Sequence, residues 1–197
     1  MSAAVLLSGG MDSTAVAYWL RPDYTITVDY GQAAAAGELR AATAITDALG
    51  VRHEIIRVDC RTIGAGVMAP EGPGVLPFNV TPEWWPFRNQ LVVTLAAARA
   101  IRFGVTSLAI GTVRSDARFA DGTPGFVSRL DSLLSHQEGG IRLAAPALEM
   151  STVELVRASG VLAEMLGWSL SCHRSENPCG RCNGCRKRAE CWSELQL

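Results

Sequence analysis

Lysine is almost absent from this sequence: the 18 basic residues are 17 arginines and the single lysine Lys187. A mechanism that needs a lysine in the body of the chain therefore has no candidate before residue 187. No apolar run reaches the length of about 20 residues that a membrane span needs. The first 20 residues also lack the basic start and cleavage pattern of a secretion signal. We therefore expect a cytoplasmic protein with no membrane partner.

An excess of charge is also missing. The formal net charge is −1, so no global basic field attracts the chain to nucleic acid. Hydrophobic residues make up 48% of the 197 residues and charged residues 19%, which is typical of a compact protein with its own core. The local basic run Arg181, Arg186, Lys187 and Arg188 is interpreted as a solvated helix face, and RNA binding is the alternative.

Strand-like and helix-like patterns alternate along the chain, which predicts an α/β fold with a doubly wound, mostly parallel sheet. Ligands of such sheets bind beyond the carboxyl ends of the strands. The predicted strands cover residues 3–7, 24–30, 53–59, 105–111 and 141–146. The predicted helices cover residues 12–20, 33–50, 88–104 and 124–137.

The first strand runs directly into Ser8, Gly9 and Gly10, and a helix follows with Asp12 and Ser13 in its first turn. A helix start carries unpaired N–H groups and a partial positive charge, and glycines let the backbone approach a ligand closely. The pattern therefore predicts a phosphate cradle whose carboxylate can hold Mg²⁺. The alternative is a tight turn in which Ser8 or Asp12 caps the helix.

Four of the six cysteines lie in a short C-terminal stretch with spacings of six, two and two residues: Cys172, Cys179, Cys182 and Cys185. Four thiolates with short spacings are typical of a structural zinc site, and an iron–sulfur cluster is the main alternative. Cys60 and Cys191 lie outside the pattern and are interpreted as packing or surface thiols.

Two groups of motifs lead to one family. The sequence "SGGMDS" at residues 8–13 resembles the PP-loop of the N-type ATP pyrophosphatases, which cleave ATP between its α and β phosphates. With "DYGQ" at 29–32, "RN" at 88–89 and "PCGRCNGCRKR" at 178–188, the chain resembles the 7-cyano-7-deazaguanine synthases of the QueC family. The likeness extends over nearly the whole chain. It implies a Rossmann-like PP-loop domain at residues 1–168 and a zinc-binding helical segment at 169–197 packed on it.

The resemblance also implies a reaction and its residues. Enzymes of this family adenylate the carboxylate of 7-carboxy-7-deazaguanine, let ammonia form the amide, and dehydrate the amide to a nitrile. They are typically homodimers that bind zinc. By the same likeness Asp12 is catalytic, Arg88 contacts the α phosphate or leaving group, and Asp116 lies near substrate; the alternative for Arg88 is a solvated helix-start arginine. ATP and Mg²⁺ are assigned to Leu7, Ser8, Gly9, Gly10, Met11, Asp12, Ser13 and Thr14.

Departures from the family pattern gather on the substrate side. Ala33 to Ala36 follow "DYGQ" where the family has basic residues and a histidine. The segment with Asp121, Gly122 and Thr123 lacks the family's cysteine and arginine. Thr152 stands where the family has lysine, and we expect no nearby lysine to compensate. These differences indicate altered specificity.

Three alternatives to the synthase remain open. A QueC-like paralogue could transfer the activated acid to an amine of a protein or another molecule, a PP-loop enzyme could modify tRNA, and a non-catalytic protein could sense a nucleotide or deazapurine. The glycine- and proline-rich segment 60–87 is predicted to be a lid or a dimer contact, because long loops in compact domains are usually functional or disordered.

Overall fold

Five strands form one parallel sheet in the computed structural model of the protein, which describes residues 2–72, 76 and 80–197. Their order across the sheet is β3-β2-β1-β4-β5, and all neighbouring pairs are parallel. The predicted doubly wound sheet is confirmed, with strand ends that differ from the prediction by at most two residues. The strands are β1 (Ser2–Leu6), β2 (Tyr24–Asp29), β3 (Arg52–Arg57), β4 (Val105–Ala109) and β5 (Arg142–Ala144).

Four helices connect the strands, and the sequence predicted each of them: α1 (Met11–Leu20), α2 (Ala35–Leu49), α3 (Arg88–Ala100) and α4 (Pro124–His136). The end of α3 differs from the prediction, because the chain tightens into a 3₁₀ turn at Ile101–Phe103 before Gly104 ends it with a φ of +67°. A left-handed residue at this position favours glycine.

Three further helices follow the last strand and were not predicted individually: α5 (Thr152–Ser159), α6 (Ala163–Gly167) and α7 (Asn183–Leu195). The start of α5 did carry a local signal. Ser151 accepts a hydrogen bond from the backbone of Glu154, and the Glu154 carboxylate accepts one from the backbone of Ser151, which is a capping box.

The sheet has a separate apolar core on each face. One core packs α1, α5 and α6 on β1, with Val16, Leu155 and Leu166 among its most buried members. The other core packs α3 and α4 on the opposite face, around Val93 and Leu130. This burial on both faces is clearest in β1, whose residues 3–6 form a continuous apolar run.

Part of the segment 60–87 packs into the molecule, whereas Ile63 and Phe87 are exposed. The indole of Trp85 is 2% exposed and meets the ring of Tyr30 edge-on, with 4.9 Å between ring centroids. Met68 belongs to the same apolar cluster. Part of the predicted lid or dimer contact, at residues 73–75 and 77–79, lies outside the described residues. Its role stays a prediction.

The C-terminal segment shares its core with the rest of the chain. Cys191 of α7 is 6% exposed in the cluster that contains α1 and α5, and Trp192 packs against that cluster. Cys60 and Cys191 are both buried thiols, which agrees with a packing role. In the part of the chain that the structure describes, no helix has the length and hydropathy required to span a bilayer.

Candidate functional site

The candidate site lies where the winding of the sheet reverses. The chain leaves β1 toward β2 on one side, whereas β4 pairs with β1 on the other side. Such a reversal opens a crevice at the carboxyl ends of the two strands. The two walls are very close at Gly111, because a Cβ atom there would lie 2.7 Å from the backbone nitrogen of Ser13. Gly111 therefore lets the end of β4 contact the first turn of α1.

The glycine turn at the end of β1 is built for close backbone approach. Gly9 has a φ of +78°, and a Cβ atom on it would lie 2.8 Å from the carbonyl oxygen of Glu38. Gly10 is the N-cap of α1 and provides no side-chain cap. The interpretation that Ser8 or Asp12 caps this helix is therefore wrong, since no side chain occupies the capping position.

The hydroxyl groups of the turn form a small network around the helix start. The two oxygens Ser8 Oγ and Ser13 Oγ are 3.0 Å apart, and Ser13 Oγ also donates to the carbonyl of Gly10 at 3.1 Å. Thr14 Oγ1 donates to the same carbonyl at 2.8 Å. Both serine oxygens therefore stay near the free N–H groups of the first turn, where an anion is stabilised.

Asp12 faces two donors from distant parts of the chain. Thr152 Oγ1 donates to its Oδ1 at 2.6 Å, and Lys187 Nζ donates to its Oδ2 at 2.8 Å. Burial raises the pKa of Asp12 above its ordinary value, although Lys187 and Thr152 favour the charged form and oppose that rise. The carboxylate is a potential cation ligand next to the glycine turn.

The positions of Lys187 and Arg188 differ from two sequence-based expectations. No lysine was expected near Thr152, but Lys187 and Thr152 contact the same carboxylate. The interpretation of the basic run as a solvated face is wrong at Lys187, whose side chain is 34% exposed and paired with Asp12. It is also wrong at Arg188, which is half-buried and stacks 4.9 Å from the ring centroid of Trp192.

A cavity of about 740 Å³ opens beside the turn and is lined by residues from both ends of the chain. This volume is within the range of about 300–1,000 Å³ that is usual for ligand pockets. The predicted residues that line it are Leu7, Ser8, Gly10, Met11, Asp12, Ser13, Arg88 and Asp116. Gly9 lies behind the turn against α2, and Thr14 is fully buried in the first turn of α1. The C-terminal segment supplies part of the opposite wall.

The position of Arg88 is fixed by its neighbour. Asn89 donates from its backbone to Asp121 Oδ2 at 3.1 Å and from Nδ2 to the Asp121 carbonyl at 2.8 Å. Arg88 is half-buried on the cavity wall, where its Nη1 lies 3.3 Å from Met68 Sδ. It is thus not the solvated arginine of the alternative interpretation. Asp121, the one acidic residue kept in its segment, positions this helix start.

Asp116 follows β4 in a 3₁₀ turn, Arg114–Arg118. Its Oδ2 accepts a hydrogen bond from the backbone of Val113 at 3.0 Å. Its negative charge contributes to the raised pKa of Asp12. The two carboxylates therefore share one wall of the cavity. Position 122 next to Asp116 has room only for glycine, because a Cβ atom there would lie 2.2 Å from the Asp116 carbonyl oxygen.

Glu38 also lines the cavity, and sequence reasoning missed it. Burial raises its pKa to about 7, although a 2.7 Å hydrogen bond from Gln32 Nε2 and the charge of Arg88 oppose the rise. Its carboxyl group can therefore hold or release a proton near neutral pH. The only local signal was an acidic residue two turns after "DYGQ", in an alanine-rich helix.

The four predicted cysteine ligands converge. Their sulfur atoms all lie within 4.8 Å of one another, and Cys179 Sγ and Cys185 Sγ are 3.9 Å apart. Tetrahedral zinc with bonds of about 2.3 Å places its sulfurs about 3.8 Å apart. This geometry can hold a metal ion such as zinc.

Hydrogen bonds favour the thiolate at Cys172, whereas burial raises the pKa of Cys185 to about 12. Burial alone raises the pKa of Cys172, but donors that include the backbone N–H of Arg174 and the Ser175 hydroxyl outweigh burial and lower it to about 6. Cys182 Sγ accepts from the backbone of Cys185 at 3.4 Å. Such N–H donors stabilise the deprotonated sulfur that a metal requires.

His173 connects the cluster to the cavity. Burial, followed by the charge of Arg88, lowers its pKa to about 4, so that the imidazole is neutral. Its Nδ1 is buried and has no hydrogen-bond partner among the residues that the structure describes. A buried polar atom without a partner is costly.

Comparisons with known proteins agree with this geometry. The family model described as "Queuosine biosynthesis protein QueC" matches residues 2–196. The chain is 32% identical to the 7-cyano-7-deazaguanine synthase of Desulforudis audaxviator, over 95% of this chain and 94% of the relative. It is 33% identical to the synthase of Xanthomonas axonopodis pv. citri, over 95% and 91%. The synthase of Pseudomonas fluorescens is 31% identical, over 95% and 89%.

Proposed function

Because the chain belongs to the QueC family, we propose that it is an ATP-dependent ligase that converts 7-carboxy-7-deazaguanine and ammonia into 7-cyano-7-deazaguanine. The observation that carries the proposal is the uncapped start of α1, which faces the cavity together with Asp12. Free N–H groups and a positive helix end are suited to the phosphates of ATP.

The first chemical step forms an acyl adenylate. A carboxylate oxygen of the substrate attacks the α phosphorus of ATP, and the bond to the β-phosphate oxygen breaks, so that pyrophosphate leaves. The glycine turn and the serine hydroxyls bind the departing pyrophosphate, and Arg88 stabilises charge on the α phosphate. Mg²⁺, when bound, would be held by Asp12 and would neutralise phosphate charge.

The next steps bring in nitrogen. Ammonia attacks the acyl carbon, AMP leaves, and the nitrogen loses a proton to give the amide. A second ATP then activates the amide oxygen and releases a second pyrophosphate. Loss of AMP and of the remaining N–H protons forms the nitrile. Glu38, with its pKa near 7, lines the same cavity and is suited to accept these protons.

The four cysteines would hold Zn²⁺ as a structural ion, because four thiolates leave no open coordination position. The ion would supply folding energy to the C-terminal segment. The segment in turn closes one wall of the cavity. A homodimer, which the family resemblance implies, stays a prediction for sedimentation analysis.

A second function is favoured by the substrate-side departures. The segment after "DYGQ" carries Ala33 to Ala36 where the family has basic residues and a histidine, and Ala34 is 1% exposed. An enzyme that has lost charged contacts here can keep the adenylation step and pass the acyl group to another amine, on a protein or a small molecule. Such an enzyme would keep the nucleotide-binding turn and differ from the family in the amine that it accepts.

One experiment separates these functions. The protein is incubated with ATP and 7-carboxy-7-deazaguanine, with and without ammonia, while pyrophosphate is measured and products are identified by mass spectrometry. An ammonia-dependent nitrile supports the synthase. A stable adenylate that ammonia does not consume supports transfer to another amine. Absence of pyrophosphate release under all of these conditions contradicts both.

A further inference from the structure

The only lysine of the chain lies in the candidate site, on α7, a helix that begins within the cysteine cluster and contains Cys185. Lys187 Nζ is 2.8 Å from Asp12 Oδ2, across 175 residues of sequence. It also lines the cavity that contains the glycine turn. Resting on the proposed function, we propose that Lys187 is a catalytic residue that binds the phosphates of ATP. The C-terminal segment thus contributes to the chemistry as well as to the fold.

The geometry leaves Lys187 free to do this. An ammonium group has three N–H donors, and among the described residues a single hydrogen bond from Nζ is present, the one to Asp12. The side chain is 34% exposed and is flexible along four methylene groups. Lys187 can therefore bridge Asp12 and a phosphate oxygen without breaking another contact.

A purely structural role explains less. The helix α7 is already fixed to the core by the buried Cys191 and by Trp192, so this ion pair is not the contact that holds it there. A cation aimed at the developing charge of a departing pyrophosphate contributes far more in a partly closed cavity. The arginines on the wall, Arg88 among them, do not contact Asp12 in the described structure.

Thr152 offers an internal check. It contacts Asp12 Oδ1 from α5, while Lys187 contacts Oδ2 from α7. The side chain of a lysine at position 152 would begin beside the Asp12 carboxylate, and we expect it to reach the phosphates that Lys187 is proposed to bind. The double variant T152K/K187M therefore moves the cation from one helix to the other while keeping one lysine in the site.

The test compares K187M with R181M, which removes an exposed charge from the same segment. Pyrophosphate release, ATP affinity, zinc content and Tm are measured for each. We expect K187M to lower kcat by about 100-fold or more, with zinc content and Tm unchanged, and R181M to resemble the wild type. The double variant is expected to recover at least about 10-fold of the lost activity.

A K187M enzyme with wild-type kcat would overturn the proposal. Should K187M lose zinc or stability, the double variant decides instead: recovery of kcat supports the phosphate-binding lysine, and no recovery overturns it. Failure here is distinct from failure of the proposed function. If the proposed function fails, the wild-type protein itself releases no pyrophosphate with the deazapurine acid.

Discussion

The contact between Gly111 and α1 yields a prediction that tests the shape of the phosphate cradle. In G111A, the new Cβ atom would lie 2.7 Å from both the nitrogen and the Cα of Ser13, whereas ordinary contacts begin at 3.4 Å. The first turn of α1 must therefore move by about 0.7 Å. Overpacking of this kind costs about 1–3 kcal/mol, which corresponds to a Tm loss of about 2–12 °C for a chain of this size.

The effect on activity should exceed the effect on stability. A displacement approaching 1 Å at a reacting group costs roughly 100-fold in rate, so kcat for pyrophosphate release should fall by about that factor. The matched control is G167A, because no atom lies within 4 Å of a Cβ at Gly167. The control should keep its activity and lose no stability. If G111A retains wild-type kcat and Tm, the close approach of β4 to the cradle is not part of the site.

Two further predictions concern Glu38 and the cysteine cluster. The pKa of Glu38 in the folded protein, about 7, lies above its ordinary value of 4.5. The folded protein therefore binds this proton more tightly than the unfolded chain does. Its free energy of unfolding falls as pH rises from about 4.5 through 7. After discounting for the partial exposure of this side chain, the free energy of unfolding of E38Q, measured by urea titration, should rise by about 1–2 kcal/mol relative to that of the wild type between pH 5 and pH 8. A difference in unfolding free energy that does not change with pH contradicts the raised pKa. For the cluster, C182S or a strong chelator should remove the bound metal, lower Tm and raise the KM for ATP, because the segment forms a cavity wall. C60S, outside the cluster, should keep full metal content, and a C182S protein with wild-type metal content contradicts the predicted ligand set.

The predictable parts of this protein are those with local signals. The apolar strands, the turn at Gly9 and Gly10 and the cysteine spacings each lie in a short stretch of sequence, so the sheet and the converging thiols could be predicted. A short apolar run bounded by turn residues indicates a strand, and short spacings fix which ligands can meet.

The missed parts depend on contacts between distant segments. Lys187 belongs to a run of charges that local reasoning treats as solvated, and only the packing of α7 on the core brings it to Asp12. The raised pKa of Glu38 arises from burial by elements far apart in the chain. The role of Gly111 likewise depends on the distance between β4 and α1. Such relations have no short sequence pattern.

The central claim is that the turn after β1 binds the terminal phosphates of ATP during transfer of AMP to an acid. The most direct measurement is a crystal structure of the protein with a non-hydrolysable ATP analogue. We predict phosphate oxygens within hydrogen-bond distance of the backbone of residues 9–13 and of the Ser8 and Ser13 hydroxyls. A triphosphate bound elsewhere, with this turn empty, would contradict the proposed mechanism regardless of what the cysteines bind.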